Sequence, residues 1–205
     1  MTTVGELVIS GASEPWAALG LGVIDDTATI GGITLRFGAD GSGVTAWGLV
    51  DMPAAVSDID GLPTHESVAP AEVAAPNESA LGALRWDHLV VMTSSLERTC
   101  GAIESATGAV LKRIREAGPI RQGFHRLGEL IVEVVESPQV TSERAQFWGF
   151  VWVVDDLHEQ CDRLGPDVIG LPKPAVQPGR FIATVRPACG LGVPLALMTP
   201  DQPRR

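Results

Sequence analysis

WDHLVVMTSSLERTCGAI, residues 86–103, and FWGFVWVVDDLHEQCDRL, residues 147–164, follow one plan. Each opens with an apolar strand, Trp86 to Met92 in the first and Phe147 to Val154 in the second. Each then turns helical. Leu96, Cys100 and Ile103 recur at i, i+4 and i+7, and Leu157, Cys161 and Leu164 fall at the same offsets, so each set makes one apolar stripe. Ser94 with Glu97, and Asp156 with Glu159, fit the capping-box pattern at a helix start. A strand–helix unit written twice is the mark of an internal repeat.

Working outward, the first helix is followed by strand candidates at Val110–Ile114, Gln122–Leu127 and Leu130–Glu136, with glycines at 118, 123 and 128 between them. The second is followed by candidates near Val168, at Arg180–Arg186 and at Val193–Thr199. Both units therefore read βαβββ, as modules at 84–145 and 146–200. The predicted class is α+β, with the paired modules curling a mixed sheet into a cup. Residues 67–83 are rich in Ala, Pro, Glu and Ser and read as a linker. Residues 1–66 resemble a worn copy of the same unit. ELVIS (6–10) reads as a strand, EPWAALGL (14–21) as a short helix and ITLRF (33–37) as one arm of a hairpin. TAWGLVDM (45–52) echoes QFWGFVWVVDDL (146–157). A cap packed on the rim of the cup is the rival reading. GADGSG (38–43) reads as a hairpin turn, since it lacks the Lys-Ser/Thr of a phosphate-binding loop.

Four segments carry a family resemblance: DHLVVMTSSLERT (87–99), LGELIVEVVE (127–136), FVWVVDDLHEQCDRLG (150–165) and GLGVPLALMTP (190–200). Together they resemble the glyoxalase/bleomycin-resistance domain of the vicinal oxygen chelate superfamily. In metal-using members of that fold each module supplies two ligands, one early in its first strand and one in its last. The resemblance places His88 and Glu133 at those positions in the first module. Aligning Leu96 with Leu157 puts Gly149 opposite His88, and aligning the last strands puts Ala196 opposite Glu133. Gly149 and Ala196 offer no side-chain donor, so only half of a site for Zn, Mn, Ni or Fe is present. His125 is the candidate for a ligand on an adjacent strand.

Strand alternation extends the site. If His88 and Glu133 face into the cup, Val90, Met92, Val151, Val153, Ile131, Val135, Pro194 and Met198 do too. That makes an apolar concavity with one imidazole and one carboxylate, the usual character of a small-molecule site. His88 and Glu133 are candidates for an acid/base pair. Arg180 and Arg186, on one strand face, are candidates for gripping an anion. Gln122, Arg121 and Arg126 occupy the equivalent strand of the first module. Met92, Val151 and Trp148 are further candidates for the ligand surface.

Composition narrows the function classes. The chain has 205 residues, 45% of them hydrophobic and 20% charged, with a formal net charge of −10. That acidity argues against a nucleic-acid partner. No apolar run approaches the roughly 18 residues of a membrane helix. No secretory leader pattern is read, and Cys100, Cys161 and Cys189 are widely spaced, which fits a reduced cytoplasmic setting. The expected function is binding of a small, largely apolar molecule, neutral or anionic, in the cup, without a full metal site or other cofactor. The alternative is a divalent-metal-dependent lyase, epimerase or dioxygenase, and a third option is a metal-free isomerase with Glu133 as base. A monomer and a homodimer are both open.

Overall fold

The computed structural model describes residues 1–68 and 79–201. In β1 (Thr3–Ser10) alternation sends Leu7 and Ile9 to the core and leaves Glu6 half-buried on the other face, and a register shift between Val4 and Glu6 turns Val4 to the core as well. The short helix α1 (Glu14–Ala18) follows and buries Trp16. β2 (Thr27–Ile30) and β3 (Ile33–Ala39) make a hairpin around Gly31 and Gly32. Both glycines have positive φ, which the tight two-residue turn requires. β4 (Val44–Val50), β5 (Asp58–Ile59) and β6 (Leu62–Glu66) complete a six-stranded sheet in the order β2-β3-β1-β4-β6-β5.

The second sheet begins with β7 (Ala83–Thr93), followed by helix α2 (Leu96–Thr107) and strands β8 (Arg113–Ala117), β9 (Ile120–Leu127) and β10 (Leu130–Glu136). β11 (Gln146–Val154), helix α3 (Leu157–Leu164), β12 (Lys173–Pro174), β13 (Phe181–Thr184) and β14 (Leu195–Met198) repeat that order. The sheet order is β12-β13-β14-β11-β7-β10-β9-β8. β7 runs parallel to β10, β11 runs parallel to β14, and β7 and β11 lie antiparallel at the centre. The paired βαβββ architecture and the α+β class are therefore as the sequence reads them.

Several boundaries differ. The α2 cap is Ser95, which accepts from Arg98 N–H, while Ser94 bonds to the Ser142 carbonyl instead. The run near Val168 makes only an isolated bridge, Ile169 to Val185, and the strand there is the two-residue β12. GADGSG is no hairpin turn: it joins β3 to β4, which flank β1 from opposite sides. Most of the predicted linker lies outside the described residues. Its end is docked, with Leu81 fully buried and its N–H bonded to the Gly20 carbonyl.

The two sheets share a connectivity. β1 pairs parallel with β3 and antiparallel with β4, and β4 pairs parallel with β6. Reading β1, β3, β2, β4, β6 and β5 against β7, β10, β9, β11, β14 and β13 matches every pairing and its direction. Residues 1–68 thus contain the central strands of two modules where the sequence reads one, and β8, β12 and α3 have no counterpart among them. The sheets join through one apolar core. Trp16 packs on Phe150 and Trp152 at 6.0 and 5.8 Å between centroids, and Trp86 donates its indole N–H to the Ile30 carbonyl at 2.7 Å. Leu89, Val91, Leu96, Ile103 and Leu157 belong to this core. Val151, Ala196 and Met198 form a separate cluster on the cup side. The N-terminal sheet therefore covers the face opposite the cup and is no cap on its rim.

Candidate functional site

The floor of the cup is fixed by register. His88 pairs with Val151 and Val90 with Gly149 across the central strands. Val90 pairs with Glu133, and Val151 pairs with Ala196. Exchanging the two modules turns each pair into the other. Gly149 is thus the geometric counterpart of His88, and Ala196 that of Glu133. A Cβ at Gly149 would lie 2.4 Å from the Pro194 carbonyl oxygen and 2.8 Å from its Cβ, so a ligand-bearing side chain does not fit there. Ala196 is buried with Met198 and Val151. Among the described residues no group of three His, Cys, Asp or Glu side chains is placed to hold a metal ion. The residues present do not fit the metal of the fold's metal-using members.

What they build instead is a polar chain across the cup. His88 Nδ1 lies 2.8 Å from Asp87 Oδ2, and its Nε2 lies 3.4 Å from Glu133 Oε2. Gln122 Nε2 donates to Glu133 Oε1 at 2.6 Å. Beyond Asp87, Arg180 Nη1 reaches Asp87 Oδ1 at 2.7 Å. Burial pushes the Asp87 carboxyl up, but the His88 hydrogen bond and the Arg180 charge outweigh it and hold the group below its ordinary range. An ionised Asp87 can only accept, so His88 Nδ1 carries a proton and Nε2 is turned to Glu133. The result is an imidazole between two carboxylates, suited to holding or passing one proton.

A cavity of about 540 Å³ opens over this chain. Asp87, His88, Gln122, Ile131, Glu133 and Met198 line it. So do Arg113, Arg115 and Phe124 on one wall and the segment 173–178 on the other. Arg113 stacks on Phe124, with its guanidinium carbon 4.9 Å from the ring centroid. The volume suits a small molecule.

Of the predicted ligand contacts, Gln122 lines this cavity. Val151 lies beneath it, buried with Ala196 and Met198. Met92 is further along β7, paired with Gln146, and Trp148 is 52% exposed; neither lines the cavity. Arg180 and Arg186 do not grip one anion together. β13 ends at Thr184, and Arg186 donates to the Pro166 carbonyl on another side. The Gln177–Arg180 turn, with Pro178 and positive-φ Gly179 in its middle, folds Arg180 back onto Asp87. Arg121 pairs with Glu97 and Glu136, and Arg126 with Glu129. His125 is no cup ligand: it is 1% exposed on the opposite face, with Nδ1 2.8 Å from the Ala109 carbonyl.

Asp87, Arg113 and Arg115 are site residues that sequence reasoning missed. Alternation from His88 sends Asp87 to the core. However, Trp152 and Val151 on β11 pair with Trp86 and His88, so Asp87 is an extra residue bulged out of register. Arg113 and Arg115 had a readable signal, two arginines at i and i+2 in RIREA, hidden by a strand placed too early.

No family model matches the chain, and no curated protein matches it. Solved structures do. Methylmalonyl-CoA epimerase from Mycobacterium tuberculosis is similar with a TM-score of 0.50 and 15% identity, over 60% of this chain and 92% of that one. A hypothetical protein from Bacillus halodurans gives 0.49 and 14%, over 59% and 97%. Streptomyces coelicolor methylmalonyl-CoA epimerase, in complex with 2-nitronate-propionyl-CoA, gives 0.47 and 16%, over 58% and 99%. The likeness to the Mycobacterium tuberculosis structure, at 15% identity, shows the fold alone. The fold is that of the glyoxalase/bleomycin-resistance, or vicinal oxygen chelate, superfamily, to which those epimerases belong.

Proposed function

We propose that the chain binds a small acid with an apolar body in the cup of the eight-stranded sheet, holding it with side chains and no metal. The observation that carries this is the pairing of a half-polar, half-apolar cavity with two counterpart ligand positions that offer no donor, Gly149, where a side chain does not fit, and Ala196. Gln122, Glu133, His88 and Asp87 run across the floor; Ile131, Phe124, Ile182 and Met198 supply apolar wall. Arg113 and Arg115 give the mouth positive charge, which attracts an anion to a chain that is acidic overall. His88 and Glu133 stand ready as an acid/base pair for a ligand with an acidic C–H beside a carbonyl.

A second reading is favoured by the fold likeness to methylmalonyl-CoA epimerase: a divalent-metal-dependent lyase, epimerase or dioxygenase. That likeness speaks more for an enzyme than for a pure binding protein, and it leaves room for an isomerase in which Glu133 is the base without a metal. The metal-dependent form needs donors beyond His88 and Glu133.

The test is ligand-induced thermal stabilisation by a series of straight-chain carboxylic acids, with and without chelator. The expected result is an upward shift that grows with chain length, survives chelation and disappears in Ile131→Trp, which fills the cavity. A shift seen only after divalent metal is restored would sink the proposal in favour of the metal-dependent reading.

A further inference from the structure

We infer that Arg85 and Arg180 form an anion-binding subsite at the edge of the cup, and that the Asp201 carboxylate occupies it as an internal competitor. The inference deepens the reading of the cup as an acid-binding site and rests on it.

A cavity of about 460 Å³ lies beside the one over the polar chain, and Asp87, Ile131 and Gln177 line both. Its positive side chains are Arg85, Arg126 and Arg180. Arg126 is engaged by Glu129 at 3.2 Å and by the Gly128 carbonyl. Arg180 is 5% exposed, and a guanidinium so buried requires compensation. Its Nη1 takes Asp87, its Nε donates to the Thr199 carbonyl at 2.9 Å, and its Nη2 has no partner among the described residues. Arg85 is different: its side chain is 42% exposed.

Between the two arginines sits one carboxylate. Asp201 Oδ2 is 2.7 Å from Arg85 Nη2, and Asp201 Oδ1 is 3.3 Å from Arg180 Nη1. Its two oxygens thus span two guanidiniums, as a ligand carboxylate or phosphate would. Three features make it replaceable. Asp201 is 69% exposed, so its ion pairs are screened. It stands just past β14, where it can swing away while Thr199 stays in place. Asp87 continues to balance Arg180 when Asp201 leaves. An anion that displaces it touches Arg180, and through Arg180 the Asp87–His88 pair. A ligand spanning both cavities would then anchor its charge here and its apolar body in the cup.

The experiment titrates the full chain with inorganic phosphate and, separately, pentanoate, reading arginine side-chain NH signals by NMR. Wild type, Asp201→Asn and Arg85→Gln are compared; both substitutions fall on exposed side chains outside the core. Asp201→Asn is expected to bind either anion about two- to fivefold tighter, the effect of removing an exposed ion-pair competitor. Arg85→Gln is expected to bind about tenfold weaker, as the loss of a charge-assisted contact requires. Equal affinities in all three proteins would overturn the subsite. If pentanoate then still bound, the cup reading would stand without it. If phosphate followed the expected order while pentanoate bound nowhere, the subsite would stand and the acid-in-the-cup reading would fall.

Discussion

At Gly149 an added methyl group would meet the Pro194 carbonyl oxygen at 2.4 Å, inside any permitted contact. Gly149→Ala should therefore lose about 1–3 kcal/mol by overpacking, measured by urea unfolding. A loss near zero would mean that the position has room for a ligand after all. Asp87 faces the opposite hazard. It and Arg180 are 6% and 5% exposed, so Asp87→Asn strands a buried guanidinium and should cost about 3–5 kcal/mol in the same assay. The sign with pH follows from its depressed folded value. The stabilisation is complete above the ordinary carboxylate value of 3.8 and is lost as pH falls through the lower folded one. Wild type should thus lose stability on the acid side below about pH 4, and Asp87→Asn should lose less there. Residues at this scale were legible where repeat symmetry fixed them: Gly149 and Ala196 follow from aligning the modules. Asp87 was not, because a bulge breaks the alternation that strand reading relies on.

The two helices begin on caps of unequal quality. Asp156 accepts from the N–H groups of His158 and Glu159 at 2.9 and 3.0 Å, whereas Ser95 accepts from Arg98 N–H at 3.4 Å. Asp156→Ala should cost about 1–2 kcal/mol and Ser95→Ala about 0.5 kcal/mol in denaturant unfolding. Equal losses would contradict the geometry. Apolar stripes made these helices readable, while two adjacent serines hid which one caps α2. Strands with alternating or continuous apolar runs, β7, β10 and β11, were readable for the same reason. β12 was not: two residues, Lys173 and Pro174, carry no period, and their strand character comes from pairing with Phe181 and Ile182. Arg186 was misplaced because β13 stops at Thr184 while its sequence runs on as if extended.

At the scale of the whole molecule, one core binds both sheets. Trp16, Trp86, Phe150 and Trp152 meet across them, and all four are almost fully buried. A fragment starting at Ser79 would expose that aromatic face. It should lack the near-UV circular dichroism and cooperative melting of the full chain, and retaining both would contradict a shared core. The echo between TAWGLVDM and QFWGFVWVVDDL was the legible trace of this arrangement, since β4 and β11 hold matching places in their sheets. The second half of the N-terminal sheet was illegible: β5 is two residues long and no helix precedes it. The cup faces away from this core, so its chemistry is set by the eight-stranded sheet and the segments that connect its strands.

The proposed metal-free cup is open to one direct measurement. Elemental analysis tests it on the full chain loaded with Zn, Mn, Ni or Fe and then desalted, with His88→Ala and Glu133→Ala alongside. Metal far below one equivalent, and no different in the two variants, is the expected result. About one equivalent retained by the wild type and lost from both variants would contradict it.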